Sequence, residues 1–556
     1  MMKQLSSRPV AGCRSLHSFS VLAIVLAITA SGCRVGPDYQ RPMVDAPVDW
    51  HWKKAALQDV AQNGPAWQVF NDPVLNDLET LAIDANQDIK VAVGRVEETR
   101  ALARVSRADM FPQISAQPGF SRNEQSANNF TPGFNGTIPG IRAPFNAFNV
   151  PLDLSYEADV WGRIRRTISA ARDRAYASVA DYHTVLLTVT SDVAANYFLL
   201  RALDADVEVL EHTLALRGES LKLVNNQFKF GVVDALDVNR AKTDLSSAEA
   251  ALANSRRQRE EIVHVLAILC GKPASDFKVE FKPLATTPPE IPAGLPSTLL
   301  QRRPDVVRAE YLLAAASEEI GVAKAAYFPR LSLTGSAGFE SAELSKLFNW
   351  PSTAWSVAAN IIQPVFTGGR NRANLEAAKA RYEQALGVYR QQVLVAFKDV
   401  EDALVDIRYR GEQARALNDA VEAARTVTRL AMTRYQNGQV SFLDVVDAQR
   451  QQLLVEEQAV LVLGERQTAT VRLIKALGGG WDVNGGLSVN PLEVAPIPNA
   501  APVPVVPQDN VPPPPPQPPA GVFAPPQPGP NAPTLAATPP QPAPAQPAAP
   551  APEPKP

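Results

Sequence analysis

Two long stretches of the chain contain no proline, and one of them carries apolar residues at heptad spacing. Residues 152–272 and 365–490 have no proline, although the chain has 49 in all. Because a proline inside a helix costs about 3 kcal/mol, both stretches predict long helices. Apolar residues seven apart, and again three places on, are typical of coiled-coil packing. These positions are Leu386, Val393, Val400, Ile407, Ala414 and Val421, followed by Tyr389, Ala396, Ala403 and Leu417.

Each stretch predicts a helical hairpin. The outgoing helix covers 163–227 in the first stretch and 370–435 in the second, and at 1.5 Å per residue it is about 97 Å long. A turn containing glycine follows, and return helices are predicted over 234–270 and 441–478. Asp234 and Ser441 stand where each return helix needs an N-cap.

Four further segments alternate apolar with polar or small residues, at 114–120, 150–156, 331–339 and 355–361. A period of two predicts β-strands, and runs of about 9 to 11 residues suit tilted membrane strands. A soluble sheet edge would alternate equally well. Four strands cannot close a membrane barrel, because the smallest known barrels use eight. If these strands lie in a membrane, several chains must share one barrel, since an open edge is not viable in lipid.

The chain is internally duplicated. A shift of about 207 residues places Gly231, Leu236 and Asp237 on Gly438, Leu443 and Asp444. A period this long indicates two copies of one subdomain, rather than the short repeats of a solenoid.

Composition removes several classes of function. The formal charge is −3, with 54 basic and 57 acidic residues, which gives no reason to expect nucleic-acid binding. The five histidines and three cysteines show no metal-binding spacing, and no phosphate loop, serine elbow or distinct carboxylate pair is present. We therefore expect no enzyme, no metal centre and no cofactor.

The N-terminus has the pattern of an export signal. Basic residues precede a short apolar run at 19–30, which is too short and too early for a membrane span. Ala30, Ser31, Gly32 and Cys33 follow, resembling a bacterial lipobox, in which Cys33 becomes the lipidated first residue. The alternative is ordinary signal cleavage beside an incidental cysteine. Arg34, in place of an aspartate, favours sorting to the outer membrane by the same resemblance.

The C-terminal tail has a different composition. From Pro491 onward it holds 27 of the chain's 49 prolines, which predicts a disordered or polyproline II segment without a core. We expect it to be dispensable for whatever the folded part does.

Several motifs, in this order, resemble the outer membrane factor family, the TolC-like channels of tripartite efflux pumps. The closest likeness is to its lipoprotein drug-efflux branch. The motifs are Cys33 to Tyr39 with Arg41-Pro42, Tyr156-Glu157 with Asp159 to Arg163, Arg302 to Val306 with Glu310, Phe328-Pro329, Gly368 to Arg370, and Arg434-Tyr435 through Asp447 to Arg450.

The resemblance implies a mainly α-helical fold with a membrane β part. Three copies would form a twelve-stranded barrel, four strands from each chain, continuing into a periplasmic helical barrel. Residues 34–72, 271–296 and 479–490 would gather in an equatorial region. The segments would be a signal peptide (1–32), an anchor and N-terminal extension (33–72), two repeats (73–280 and 297–480) and a C-terminal segment (481–556).

The resemblance also assigns roles at the far end of the hairpins. A periplasmic gate would be formed by Leu443, Asp444, Asp447 and Arg450, of which 443, 447 and 450 share one helix face. Tyr435 and Asp237 would form a latch, although the family's further latch arginine is Val440 here. The tips that dock an adaptor would comprise Gly231, Val232, Val233, Leu236, Gly438, Gln439, Val440 and Ser441. The alternatives are that the two aspartates only cap the helix and that the tips are only turns.

The function that this resemblance implies is a passive exit duct for small molecules such as drugs. Its partners would be two further copies of the chain, a periplasmic adaptor, an inner-membrane pump and outer-membrane lipid. A type I protein-secretion duct is the alternative within this class. A structural coiled-coil lipoprotein between the outer membrane and the cell wall is the alternative outside it, although a spacer needs no strands.

The leader generates a first prediction. Because Cys33 directly follows the small residues of a lipobox-like site, it should carry acyl groups in the mature protein. Mass spectrometry of the mature N-terminus should find an acylated cysteine there. An unmodified N-terminus at any other residue would reject the assignment.

Overall fold

The computed structural model describes residues 34–44, 47, 49–52, 66–124, 144–284, 287–291 and 302–479. The signal segment, Cys33, residues 125–143 between the first two predicted strands, and the proline-rich tail lie outside the described residues. The described part is mainly helical with one sheet, as the sequence predicts. None of its helices combines the length and the apolar composition that crossing a membrane requires.

Two short helices, a long hairpin, a third short helix and a second long hairpin follow one another along the chain. They are α1 (Pro73–Ala85), α2 (Gln87–Ala108), α3 (Arg163–Lys229), α4 (Ala235–Leu269), α5 (Pro304–Ala325), α6 (Arg370–Gln436) and α7 (Phe442–Ala476). At 67 residues each, α3 and α6 are about 100 Å long. The predicted hairpins are therefore confirmed to within a few residues.

The strands form one antiparallel sheet in the order β1/β2, β3, β4, β5. They are β1 (Gln113–Ala116), β2 (Gly119–Asn123), β3 (Phe145–Ala158), β4 (Arg330–Ser341) and β5 (Thr353–Ile362). The predicted first strand is divided in two at Pro118, whose nitrogen has no hydrogen to donate. Its register against β3 continues unbroken, since Ala116 faces Leu152 and Gly119 faces Asn149.

The duplication extends to the backbone conformation. Both outgoing helices have 67 residues and both return helices have 35. The glycines before α3 and α6, Gly162 and Gly369, have φ of 78° and 84°, and the turns place Gly231 and Gly438 at 70° and 71°. Side chains with a Cβ rarely adopt these angles, so glycine is required at the same points in both copies.

The predicted heptad seam of α6 lies in a core of the second repeat. Tyr389, Val393 and Val400 are buried with Val306 and Leu313 of α5, and Leu473 of α7 completes the cluster. Ala414, further along the seam, is also buried. The coiled-coil pattern therefore marks the face with which α6 packs against its own repeat.

Residues 34–38 are clasped between the two repeats. Arg166, at the start of α3, is 1% exposed and donates to the carbonyls of Val35 (2.8 Å) and Pro37 (2.9 Å). It also donates to the Glu318 carboxylate of α5 (3.0 Å), which Arg34 reaches as well (2.8 Å). We call these residues, with Gly36 and Gly321, the N-terminal clasp. Removing one partner of such a buried ion pair costs about 3–5 kcal/mol.

The two repeats also meet through an aromatic contact just below the sheet. The Trp161 indole donates to the Pro329 carbonyl (2.8 Å) and stacks on Phe328 with ring centroids 4.8 Å apart. The clasp lies at the same level, because Val35 donates its backbone N–H to the Trp161 carbonyl (3.1 Å). The chain that follows Cys33 is thereby held at the end of β3.

Equivalent arginines hold different segments halfway along the two hairpins. In the first, Arg201 donates to the Glu280 carbonyl (2.6 Å), and Asp204 accepts from the Lys282 amide (3.0 Å). In the second, Arg408 lies over the Trp52 ring, 5.6 Å from its centroid. Parts of two of the three segments that we expected in the equatorial region, 34–72 and 271–296, therefore lie there, whereas residues 34–38 lie nearer the sheet.

The clasp generates a stability prediction. A Cβ on Gly321 would lie 2.1 Å from Arg166 Cδ, whereas one on Gly411 of α6 would meet nothing within 4 Å. Gly321→Ala must displace Arg166 and should destabilise the fold by about 1–3 kcal/mol. Gly411→Ala, the matched control, should be neutral or stabilise by up to about 1 kcal/mol. Thermal unfolding followed by circular dichroism compares them, and equal melting temperatures would show that the clasp is not tightly packed.

Candidate functional site

The two hairpin tips have the same backbone geometry. The N–H of Gly231 donates to the Phe228 carbonyl (2.9 Å), and that of Gly438 donates to the Tyr435 carbonyl (2.9 Å). In each tip the N–H of the residue after the glycine donates to the carbonyl one position earlier in the helix than the one that the glycine binds. This pair of hydrogen bonds is the Schellman motif that ends a helix. The sequence-predicted glycines therefore end the outgoing helices.

The predicted N-caps are confirmed. The Asp234 carboxylate accepts from the amides of Leu236 (2.9 Å) and Asp237 (3.2 Å). At the second tip, the Asp444 carboxylate accepts from both the Ser441 hydroxyl (2.6 Å) and the Ser441 amide (2.9 Å). These bonds, the hydroxyl first, hold the pKa of Asp444 below its usual range. The cap therefore persists at neutral pH and is lost only as the pH falls through that lowered pKa.

A small apolar cluster holds the two tips side by side. Its buried members are Val224, Val238, Ala241, Tyr435, Phe442, Val445 and Val446, with Val233 and Val440 partly buried against them. Beyond this cluster the first tip exposes Phe230 (84%), Val232 (69%) and Leu236 (54%). Of the predicted tip residues, Val233 and Val440 thus contribute to packing, while Gly231, Gly438, Gln439 and Ser441 lie on the surface.

The predicted gate residues lie on the exposed side of α7. Leu443, Asp444, Asp447 and Arg450 are all exposed, whereas Val445 and Val446 between them are buried. Asp447 has no ion pair within the described part of the chain. The two aspartates therefore differ, because Asp444 is engaged in the cap and the carboxylate of Asp447 is unpaired.

The predicted latch residues each have another partner. The Tyr435 hydroxyl donates to the Gln227 side chain, and Asp237 pairs with Arg240 at 3.2 Å. Burial, and secondarily the charge of Asp237, raises the pKa of Tyr435. The negative charge of Asp237 therefore acts on the Tyr435 hydroxyl, although each of the two side chains is bound to another residue.

A charged contact between the hairpins lies about two turns above the tips. Asp244 of α4 is 2% exposed; its Oδ1 accepts from Arg450 Nε of α7 (2.9 Å), and its Oδ2 lies 3.2 Å from Arg217 Nε of α3. Arg217 also donates to the Asp244 carbonyl (2.7 Å), and burial lowers the pKa of its guanidinium. One carboxylate therefore joins three helices of two hairpins, and we call this the Asp244 bridge.

Sequence reasoning missed the Asp244 bridge. The signal was present, because Asp244 stands between Ala241 and Ala248 on the buried stripe of α4. A charged residue on such a stripe is almost never left unpaired. Its partner in the other hairpin could not be identified, since Arg450 is 206 positions away in the sequence.

Known proteins resemble this chain over most of its length. The family model for outer membrane efflux proteins matches residues 78–272 and 295–479. The solvent efflux pump outer membrane protein SrpC of Pseudomonas putida is 34% identical over 473 residues, covering 84% of this chain and 99% of that protein. Outer membrane protein OprJ of Pseudomonas aeruginosa is 32% identical over 478 residues, covering 85% and 98%. The solved structure of the outer-membrane channel OprN matches with a TM-score of 0.75 at 31% identity, covering 81% of this chain and 100% of that one.

Proposed function

The chain belongs to the outer membrane efflux protein family, and we propose that three copies of it form one continuous duct. It is an outer-membrane component of an efflux system, with an extension in the periplasm. The observation that supports the duct is the sheet, whose exposed outer strands β1/β2 and β5 each have one edge that no other strand of the described residues pairs with. In lipid these edges must pair with something, and three such sheets would give twelve strands.

The proposed duct is passive and has no catalytic activity of its own. An inner-membrane pump, joined through a periplasmic adaptor, would drive small molecules such as drugs into the duct. Each copy of the chain would be anchored to outer-membrane lipid through Cys33. A protein-secretion duct would need the same barrel and remains the second candidate in this class. The sheet argues against a purely structural spacer, which has no use for strands with exposed apolar side chains such as Trp355 (79%) and Val357 (79%).

The periplasmic end would be closed by the exposed face of α7. In a trimer each gate residue occurs three times, so Asp447 would form a ring of three carboxylates that repel one another unless cations bind. Leu443 would supply an apolar ring beside it. We assign the cation-binding role to Asp447 rather than Asp444, because the Asp444 carboxylate is engaged by Ser441.

The Asp244 bridge would hold the closed state. Opening requires the hairpins to separate at the tips, and the pair between Arg450 and Asp244 joins them there. Replacing Asp244 removes this connection and also leaves the nearly buried Arg217 without its carboxylate, which makes the closed arrangement less favourable. Tyr435 and Asp237 would contribute to the latch indirectly, through the packing of the tip cluster.

The exposed tips would dock the adaptor. Phe230, Val232 and Leu236 together present an apolar surface at the end of the first hairpin, and such surfaces on a folded chain mark sites of association. The second tip presents Gln439 and Ser441 instead, so the two tips would make different contacts with the adaptor.

Recording of ion currents in a planar lipid bilayer tests both the duct and the role of the Asp244 bridge. The purified protein should conduct in discrete steps with low resting conductance, and Asp244→Ala should raise that conductance because the hairpins lose their connection. Glu376→Ala is the matched control, since it removes the carboxylate of an exposed pair with Arg372 at the other end of α6. A protein that never conducts would exclude the duct. Equal conductance of the two variants would show that the Asp244 bridge does not hold the closed state.

The same recordings separate the two aspartates. Asp447→Asn should weaken block by divalent cations, because it removes three carboxylates from the proposed ring. Asp444→Asn should leave the block unchanged while weakening the cap. The opposite ranking would transfer the cation-binding role to Asp444.

Transport assays in cells test the docking tips. Gly231→Arg and Gly438→Arg should each abolish export without loss of the trimer, because a large charged side chain would stand in the adaptor interface. Gly231→Asn is the control, since asparagine tolerates the left-handed conformation that the turn needs. Full export by both arginine variants would refute docking at the tips.

A further inference from the structure

Three arginines share one face of α2 near the end of the helix that meets the sheet. Arg100, Arg104 and Arg107 stand at i, i+4 and i+7. Arg104 and Arg107 are exposed, whereas Arg100 is only 8% exposed. None of the three side chains has a hydrogen-bond or ion-pair partner among the described residues, and Arg100 Nε is buried. A buried arginine is almost never left unpaired, which points to a negative group from outside the chain.

A fourth arginine, Arg172 of α3, is exposed on the same side. Arg95 of α2 and Asp181 of α3 approach each other to 3.9 Å. Because the two helices run antiparallel, nine residues nearer the sheet along each of them Arg104 is level with Arg172. Nine residues also turn a helix by about 180°, so both side chains start on the side of the helix pair opposite to that contact. We call these four residues the basic patch: Arg100, Arg104, Arg107 and Arg172.

The carboxylates around the basic patch do not neutralise it. Glu98 and Asp109 each lie two residues from an arginine of the patch, so they point to other sides of α2. Glu97 acts on Arg100 without forming an ion pair, and burial still lowers the pKa of that guanidinium. Asp173 lies 3.9 Å from the arginine before it, and burial raises its pKa to about 6. The patch therefore keeps a net positive charge at neutral pH.

In the second repeat the same helix face is covered by the chain itself. Gly321 of α5 stands seven residues before Phe328, as Arg104 stands seven before Phe111, so the two positions are duplicates. The N-terminal clasp lies on Gly321, because a Cβ on Gly36 would be 2.6 Å from the Gly321 Cα. On α2 no segment of the described chain lies over Arg104, which is exposed. The basic patch therefore occupies a face that its duplicate fills with protein.

The basic patch lies at the level where the proposed lipid anchor begins. Arg34, which directly follows Cys33, donates to the Ser169 hydroxyl at 2.7 Å. Ser169 is three residues from Arg172, so the two side chains are neighbours on α3, and in the antiparallel register it is level with Arg107. Acyl chains on Cys33 would enter the membrane at this point. The basic patch would therefore face the layer of lipid phosphates rather than open periplasm.

We propose that the basic patch binds the phosphate groups of anionic phospholipids in the periplasmic leaflet of the outer membrane. This inference rests on the proposed anchor at Cys33 and adds a second contact with the same leaflet. A guanidinium matches phosphate oxygens with two parallel hydrogen bonds, and its flexible stem lets the charged group reach past apolar neighbours. Each arginine near an anionic membrane surface strengthens binding about fivefold. The patch would thereby fix how each copy is turned toward the membrane, which acyl chains alone do not.

Lipid retention in native mass spectrometry tests the basic patch. The mature protein, released from detergent that contains phosphatidylglycerol or phosphatidylcholine with the same acyl chains, should retain the first lipid and little of the second. Arg104→Gln should weaken phosphatidylglycerol binding about fivefold, and Arg104→Gln/Arg107→Gln should weaken it further. Arg415→Gln/Arg429→Gln is the matched control, because it removes two exposed arginines from the half of α6 nearer the tips. The control should bind phosphatidylglycerol like the wild type.

The same spectra separate this inference from the anchor and from the assembly. If the wild type retains both lipids equally, or if the 104/107 variant and the control bind phosphatidylglycerol equally, the basic patch is not a lipid site. If the 104/107 variant keeps its lipid but no longer forms the wild-type assembly, the arginines serve contacts between copies instead. The mass of the chain shows whether Cys33 is acylated. An unacylated chain that still prefers phosphatidylglycerol would refute the anchor and support the patch, and the conductance of the wild type tests the duct separately.

Discussion

A β-sheet with two free edges cannot remain alone in a membrane, and this constraint determines what the chain must do with the rest of its structure. Each unpaired N–H and C=O of β1/β2 and β5 would cost several kcal/mol in hydrocarbon. In the part of the chain that the structure describes, all the strands already belong to one continuous sheet, and none is left to pair these edges. In the proposed duct other copies supply the partners, and the helices below the sheet meet in the same arrangement.

The internal duplication makes that arrangement possible. Equal helix lengths and matching left-handed glycines give the two hairpins one geometry, so three copies would place six hairpins of one shape in a ring. The copies diverge where each has a separate task. Arg201 holds the segment after the first hairpin, whereas its duplicate Arg408 lies over Trp52 of the N-terminal extension. The clasp around Arg166 connects that extension to both repeats near the sheet.

Helix bounds, turns and caps were predictable from the sequence because local rules determine them. Absence of proline, left-handed glycines and capping residues act within a few positions, and Asp234 and Ser441 cap the helices as expected. Pro118 can be recognised in the sequence as a residue without a backbone N–H. That it divides the predicted first strand in two is seen only in the pairing with β3. The contact of Asp244 with Arg450 and the clasp could not be predicted, because the partners are 206 and 131 positions apart in the sequence.

The proposal that most needs testing is that three copies together pair the sheet edges for which one chain has no partner. Native mass spectrometry of the purified protein, released from detergent, measures this most directly. We expect a single species with the mass of three chains, stable until the sheet unfolds. A stable monomer, or a species containing any other number of copies, would contradict it.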